Sequence, residues 1–182
     1  VTPQWSARHR RSTLVEGIGD EGLARLQAAR VLVVGAGGLG SPVLMYLAAT
    51  GVGTIGIGDA DAVEETNLQR QIIHGEADVG VAKTESAARR LHALNSALEV
   101  RTHGWATGEL LDAVADDYDL VLDCCDSFDA KYLLGDWCAA RNMPLVWGSV
   151  VAMSWQVSVF WATPPDGGPG VRLRDLYPNQ PA

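Results

Sequence analysis

Residues 30–50 read RVLVVGAGGLGSPVLMYLAAT, and the fold turns on this stretch. Val31, Leu32, Val33 and Val34 form a short apolar, mostly β-branched run, the composition of a buried strand. Gly35, Gly37, Gly38 and Gly40 follow without a linker, and an apolar-rich run then continues to Gly51, a natural helix terminator. The stretch predicts a strand, a tight glycine turn and a helix start. In such a turn Gly35 permits the bend, Gly37 lets a phosphate approach the backbone and Gly40 lets the helix pack close to the strand. The helix's free amides and positive dipole end then face the anion. A nucleotide's phosphates are the expected occupant, and the spacing by itself suits NAD, FAD and S-adenosylmethionine alike.

Downstream, residues 54–58 read as a second strand ending at Asp59, which completes a βαβ unit. Asp59 lies about twenty residues past the glycines, where an acidic side chain accepts hydrogen bonds from ribose hydroxyls; a capping aspartate is the other role open to it. The loop DADAVEETNLQRQIIH, residues 59–74, is too polar for a core and sets Asn67, Arg70 and Gln71 on one short helical turn. GEADVGVAK then delivers Lys83 to the start of a helix, residues 83–95, with Ala87, Leu91 and Leu94 facing inward. A lysine in a first turn opposes the helix dipole by roughly 0.3–1 kcal/mol, so a negative partner is expected beside it.

The remaining pattern alternates in the same way. Strands are expected at 99–103, 120–124, 144–150 and 154–161, and helices at 20–29, 107–115 and 127–141. The strand at 154–161 shows a plain period of two, Trp155, Val157, Val159 and Trp161 alternating with Gln156, Ser158 and Phe160. Residues 1–19 read as a polar arm without sustained period and 163–182 as an exposed tail. The fold class is α/β: a doubly wound, mostly parallel sheet with a Rossmann-like glycine turn and a C-terminal antiparallel strand. In such sheets ligands bind outside the strands' carboxyl ends where strand order reverses, so Gly35 to Gly40, Asp59 and Asp126 are expected to converge there.

Composition bounds the partners. A chain of 182 residues, 47% apolar and 20% charged, suffices for one core and is short for two domains, so residues 1–182 are read as a single domain. The formal charge of -8 argues against a nucleic-acid surface, and the Arg8, Arg10, Arg11 cluster is local. Cys124, Cys125 and Cys138 lie in apolar segments and read as reduced core thiols, which points to a reducing cytosol. No uncharged apolar run approaches the roughly 20 residues of a membrane span, and the start lacks a signal peptide's apolar region. The expectation is a cytoplasmic protein with neither nucleic acid nor membrane as partner.

Arg70 and Lys83 beside Asp59 and Asp126 suit a triphosphate with Mg²⁺, since a hard divalent ion takes one or two carboxylate oxygens plus phosphate oxygens. A dinucleotide would not require this set. No Walker lysine follows the glycines, so the cations must come from elsewhere, unless Arg70 and Lys83 are merely solvated surface charges.

GAGGLGSP, DAD, NLQRQIIH, DVGVAKTESA and DCCDSFDAKYLL, in this order and spacing, resemble the ThiF/MoeB family of ubiquitin-activating-enzyme-like adenylyltransferases. The resemblance implies a doubly wound domain that uses ATP and Mg²⁺ to adenylate the C-terminal carboxylate of a small ubiquitin-like sulfur carrier. It implies catalytic roles for Arg11, Arg70, Lys83 and Asp126, with Asp126 the magnesium ligand. The nucleotide contacts it implies are Gly35, Gly37, Gly38, Gly40, Asp59, Asp61, Thr66, Asn67, Leu68, Gln69, Gln71 and Ser127. Arg11 falls at the arm position that reaches the partner subunit's site, which implies a homodimer.

The sequence also departs from the family pattern. Where the first CxxC pair of a zinc site would fall, Arg172 and Asp175 stand, so no zinc is expected. Ser127 replaces a usual asparagine and Lys131 a usual arginine. The chain stops short of the segment with the family's reactive cysteine and last strands, so the expectation is a fragment or a truncated domain. An NAD-linked oxidoreductase and a non-catalytic dimeric relative are the competing readings, the first leaving Arg70, Lys83 and Asp126 unexplained.

Overall fold

A computed structural model of the chain describes residues 3–180. α1 (Pro3–Thr13) and α2 (Gly19–Ala28) precede β1 (Arg30–Val34), the strand about which the sheet is built. β1 is central because its side chains serve both faces: Val31 and Val33 enter one core, Leu32 and Val34 the other. A strand covered on both sides needs a continuous apolar run, which Val31 to Val34 provides. α3 (Gly40–Thr50) and α4 (Lys83–Leu94) add Leu44, Ala48, Ala87 and Leu91 to the first core, and α5 (Gly108–Ala113) and α6 (Phe128–Arg141) add Leu111, Leu134 and Cys138 to the second.

β2 (Thr54–Gly58) and β3 (Glu99–His103) extend the sheet in parallel on one side of β1; β4 (Leu120–Asp123) and β5 (Leu145–Val151) do so on the other. β6 (Ser154–Phe160) is antiparallel to β5 at the edge, giving the order β3-β2-β1-β4-β5-β6. The doubly wound, mostly parallel α/β expectation is met, antiparallel last strand included. Its close packing depends on two glycines. Gly35 has φ +98°, and a Cβ there would lie 2.6 Å from the Cys124 carbonyl oxygen; a Cβ on Gly40 would run into the Gly35 carbonyl oxygen.

Two segments differ from the sequence expectation, and in a third the structure adds which face is buried. The N-terminal arm is helical rather than irregular: Arg8 donates to the Leu94 carbonyl at 2.8 Å and α1 packs on α2. Its order comes from docking, which local periodicity does not record. In β6 the alternation is realised, but the stripe Trp155, Val157, Val159 is exposed and Phe160 is the buried residue, ring to ring with Trp147 at 6.1 Å. The segment expected as an exposed tail is open at most positions yet anchored by α7 (Leu173–Leu176), where Leu173 is 2% exposed. Tyr132 Oη donates to the Tyr177 and Asn179 carbonyls at 3.1 and 2.7 Å, which pins the segment to α6. A single helical turn is too short to reveal itself by period. Among the described residues no helix is long and apolar enough to cross a membrane.

Candidate active site

Asp123, Val34, Gly58 and His103 are register partners across β4, β1, β2 and β3, so the loops leaving these strands open along one level edge. A crevice of about 640 Å³ runs over that edge, a size usual for small-molecule sites. The glycine turn gives it Gly35, Gly37 and Gly38; the loop after β2 gives Asp59, Asp61, Arg70 and Gln71; the first residue of α4 gives Lys83; the loop after β4 gives Asp126 and Ser127. Sequence-distant residues expected to converge are thus brought together.

The turn is held from beneath. Asp59, 8% exposed, accepts the Ala36 amide at 2.8 Å through one carboxylate oxygen and the Asp61 amide at 2.9 Å through the other. It therefore acts as a cap on the turn, the second of the roles open to it from sequence, and it also lines the crevice. His74 Nε2 lies 3.0 Å from the Ala36 carbonyl and Nδ1 2.8 Å from Ser86 Oγ, so the turn is braced from both sides. The amides of Gly38 and Leu39 have no partner among the described residues, and α3 begins without a side-chain cap. Those donors remain available to an anion.

Lys83 finds the negative partner its place in the first turn requires: its Nζ, in a residue only 6% exposed, donates to Asp61 Oδ2 at 2.7 Å. Arg70 lies alongside Gly38, its side-chain carbons 3.7 Å from where a Cβ would sit, and donates to the Thr66 carbonyl at 3.2 Å. Gln71 is buried with Oε1 unpartnered, and its amide faces Gly37, where an added Cβ would stand 3.5 Å from Nε2. A buried carboxamide with an unmet oxygen at the glycine turn marks a polar ligand position. The Asp126 carboxylate is exposed at the opposite wall with no hydrogen bond or ion pair among the described residues, while Ser127 Oγ is used as the α6 cap, accepting the Ala130 amide at 3.3 Å.

Other expected contacts lie elsewhere. Gly40 is buried beneath the turn, and Asn67 is buried with Oδ1 accepting the Glu64 amide at 3.1 Å. Thr66, Leu68 and Gln69 do not line the crevice. Arg11 does not either; it lies with Arg10 and Leu14 on the outer surface of α1. Conversely Leu39, Trp105, Phe128, Lys131 and Ser149 line the crevice though the sequence reading did not single them out as site residues. Ser149 was accessible in principle, because β5 adjoins β4 and must end at the same edge.

Lys131 is a structural cation of the wall. Its Nζ donates to both Asp123 oxygens, at 3.2 and 3.3 Å, and to the Gly148 carbonyl at 2.6 Å, and lies 5.3 Å from the Trp147 ring centroid. Burial pushes the Asp123 carboxyl above its ordinary value, outweighing the pull of Lys131. Burial likewise raises the thiols: Cys124 and Cys138 to about 12, and Cys125 upward as well. Burial thus disfavours the thiolate at all three, the opposite of what activates a nucleophilic cysteine.

Comparison with known proteins bears on this geometry. The family profile described as the ThiF family matches residues 9–182. A probable adenylyltransferase/sulfurtransferase MoeZ of Mycobacterium tuberculosis is 50% identical over 96% of this chain, which spans 45% of that protein. The sulfur carrier protein adenylyltransferase of Thermus thermophilus is 41% identical over 96% of the chain and 65% of its own length. The chain thus spans about half the length of the curated relatives it matches. Among solved structures, E. coli tRNA N6-threonylcarbamoyladenosine dehydratase, TcdA, in complex with ATP aligns with a TM-score of 0.76 at 30% identity, over 84% of this chain and 64% of that one. A match that takes in the end of the arm, the whole sheet and α7 makes this chain a member of the ThiF family.

Proposed function

We propose that the protein adenylates the C-terminal carboxylate of a small ubiquitin-like sulfur-carrier protein, consuming ATP and releasing pyrophosphate, and that it does so as a cytoplasmic homodimer. One observation carries the reading: Arg70, Gln71 and Lys83, all from beyond β2, meet the glycine turn opposite the unpaired Asp126. An NAD site gives these cations and that carboxylate no task. The names of the relatives support the same reading, two of them containing adenylyltransferase and one of those naming a sulfur carrier.

The turn's free amides, with the Arg70 guanidinium and the Gln71 side-chain N–H beside Gly37, would hold the phosphate chain. Lys83 would exchange Asp61 for phosphate oxygens. Asp126 would hold Mg²⁺, which when bound neutralises phosphate charge; a lone carboxylate at a phosphate site suits an ion that takes most ligands from substrate and water. A C-terminal carboxylate, with an ordinary pKa of about 3.3–3.7, is ionised at neutral pH and attacks without a general base. Its oxygen bonds to the α-phosphorus, the bond to the bridging oxygen breaks, and pyrophosphate leaves with the electron pair. The protein's contribution is positioning and charge neutralisation.

The crevice offers a path for a protein tail. On the β5–β6 side it shares Phe128, Lys131, Ser149 and Val151 with an adjoining apolar cavity of about 200 Å³. Trp147, buried in that cavity's wall, has an indole N–H without a partner among the described residues, a donor suited to a peptide carbonyl.

The test is ATP–pyrophosphate exchange that depends on an added small ubiquitin-like sulfur carrier. Exchange is expected with Mg²⁺, and Asp126→Ala is expected to reduce it by about 10²-fold or more while leaving the fold intact, since the side chain is exposed and unbonded. Retained exchange in that variant would remove Asp126 from the metal role; no exchange with any carrier would remove the function.

A further inference from the structure

We infer that Trp105 is the platform on which the base of the bound nucleotide stacks, an inference that rests on the adenylation reading. The row Asp123–Val34–Gly58–His103 places four loops in line: Asp126 after β4, the glycine turn after β1, Asp59 after β2, and Trp105 two residues after β3. Neighbouring strands are about 4.8 Å apart, so each loop is one step further along the crevice. With phosphates on the glycine turn and ribose at Asp59, the next step outward from the phosphates falls at the loop after β3. Trp105 lines the crevice there and is 38% exposed, so part of this large apolar side chain is left in water. The other aromatic of the crevice, Phe128, starts α6 on the β4 side, the wrong end for the base.

The position is held by its neighbours. Ala106, next in the chain, is 3% exposed in the core formed with Leu32 and Val34, and Thr107 caps α5 by accepting the Leu110 amide at 3.2 Å. Trp105 is therefore presented from a fixed loop rather than a free one, and covering its ring with a base removes exposed apolar surface from both partners. Stacking is tolerant of base identity because every base has a π-face; Trp105 should add affinity for the nucleoside end without selecting adenine by hydrogen bonds.

The experiment compares wild type, Trp105→Ala and Trp105→Phe by titration with ATP, with GTP and with inorganic tripolyphosphate. Trp105→Ala should weaken ATP and GTP about tenfold or more, leave tripolyphosphate unchanged, and raise KM for ATP with little change in kcat at saturation. Trp105→Phe should recover most of the ATP affinity. Equal ATP affinity in wild type and Trp105→Ala would overturn the stacking role and leave the adenylation reading standing. A wild-type protein that binds no ATP would overturn both. Equal weakening of ATP and tripolyphosphate by Trp105→Ala would also overturn it, since loss at the phosphates is not loss of a base contact.

Discussion

His74 illustrates how one buried side chain sets the shape of the phosphate loop. The Ala36 carbonyl can only accept, so Nε2 carries the proton and Nδ1 accepts from the Ser86 hydroxyl, a neutral tautomer with both nitrogens used. Burial holds this imidazole below its ordinary value of 6.5. The unfolded chain therefore takes a proton before the folded one does. Stability from this group is complete above about pH 6.5 and declines as pH falls toward the depressed folded value, by at most about 1.4 kcal/mol per pH unit. His9 and His103 are shifted the same way, so His74→Gln should flatten, not abolish, the fall in unfolding free energy between pH 6.5 and 5. Denaturant melts across that window measure it, and an unchanged slope would mean that His74 does not titrate on unfolding. Individual residues were legible where local physics demands a response: Lys83 in a first turn called for an anion, which Asp61 supplies. Asn67 is less legible, because a polar side chain in a loop reads alike whether it binds a ligand or accepts a backbone amide three residues upstream, as it does from Glu64.

Elements were legible in proportion to their length and periodicity. β2 and β3 occupy the expected residues, and α6 starts one residue after its expected beginning, at the Ser127 cap. α1 and α7 escaped because tertiary contacts, not sequence period, order them. α7 has a further interest, since Arg172 and Asp175 stand where a first zinc-binding cysteine pair would fall. There the Arg172 amide donates to Asp175 Oδ2 at 2.8 Å, capping the helix that drives Leu173 against Gly135 on α6. Arg174 adds an ion pair with Asp136 at 2.6 Å, which at half-exposed side chains contributes under about 1 kcal/mol. Apolar burial of Leu173 is thus what anchors this segment to α6. Purified protein is expected to contain no stoichiometric zinc and to show the same Tm with and without a chelator, whereas Leu173→Ala should lower stability by about 2–4 kcal/mol. Elemental analysis giving one zinc per chain, or a chelator-sensitive melt, would overturn this account.

At the scale of the molecule, the open question is where the basic arm acts. Arg8 is tied to the end of α4 that leads into β3, the end remote from the crevice, and Arg11 lies exposed on α1, apart from its own chain's phosphate site. Contacts within the chain account for Arg8, and the last turn of α1 suits cations at Arg10 and Arg11, yet Arg11 is left exposed with no anionic partner among the described residues of its own chain. A triphosphate in a second subunit would use it. The stripe Val150, Val151, Trp155, Val157 and Val159, exposed across the β5–β6 hairpin, is a contiguous apolar patch of the kind that marks an interface. In the proposed homodimer Arg11 of one subunit would complete the site of the other, and in phosphoryl-transfer sites an arginine supplied in trans is worth ~10³–10⁵ in rate. Arg11→Ala should therefore lose turnover by several orders of magnitude while ATP affinity falls much less. Mixing Arg11→Ala with Lys83→Ala provides the decisive measurement: each is dead alone, but a mixed dimer rebuilds one centre with wild-type Arg11 and Lys83. Complete subunit exchange would put half of the dimers in that mixed form, each with one restored site, so activity should return to about a quarter of wild type by this statistical count. Background activity in a mixture whose subunits have demonstrably exchanged would assign Arg11 to its own chain or to no site at all.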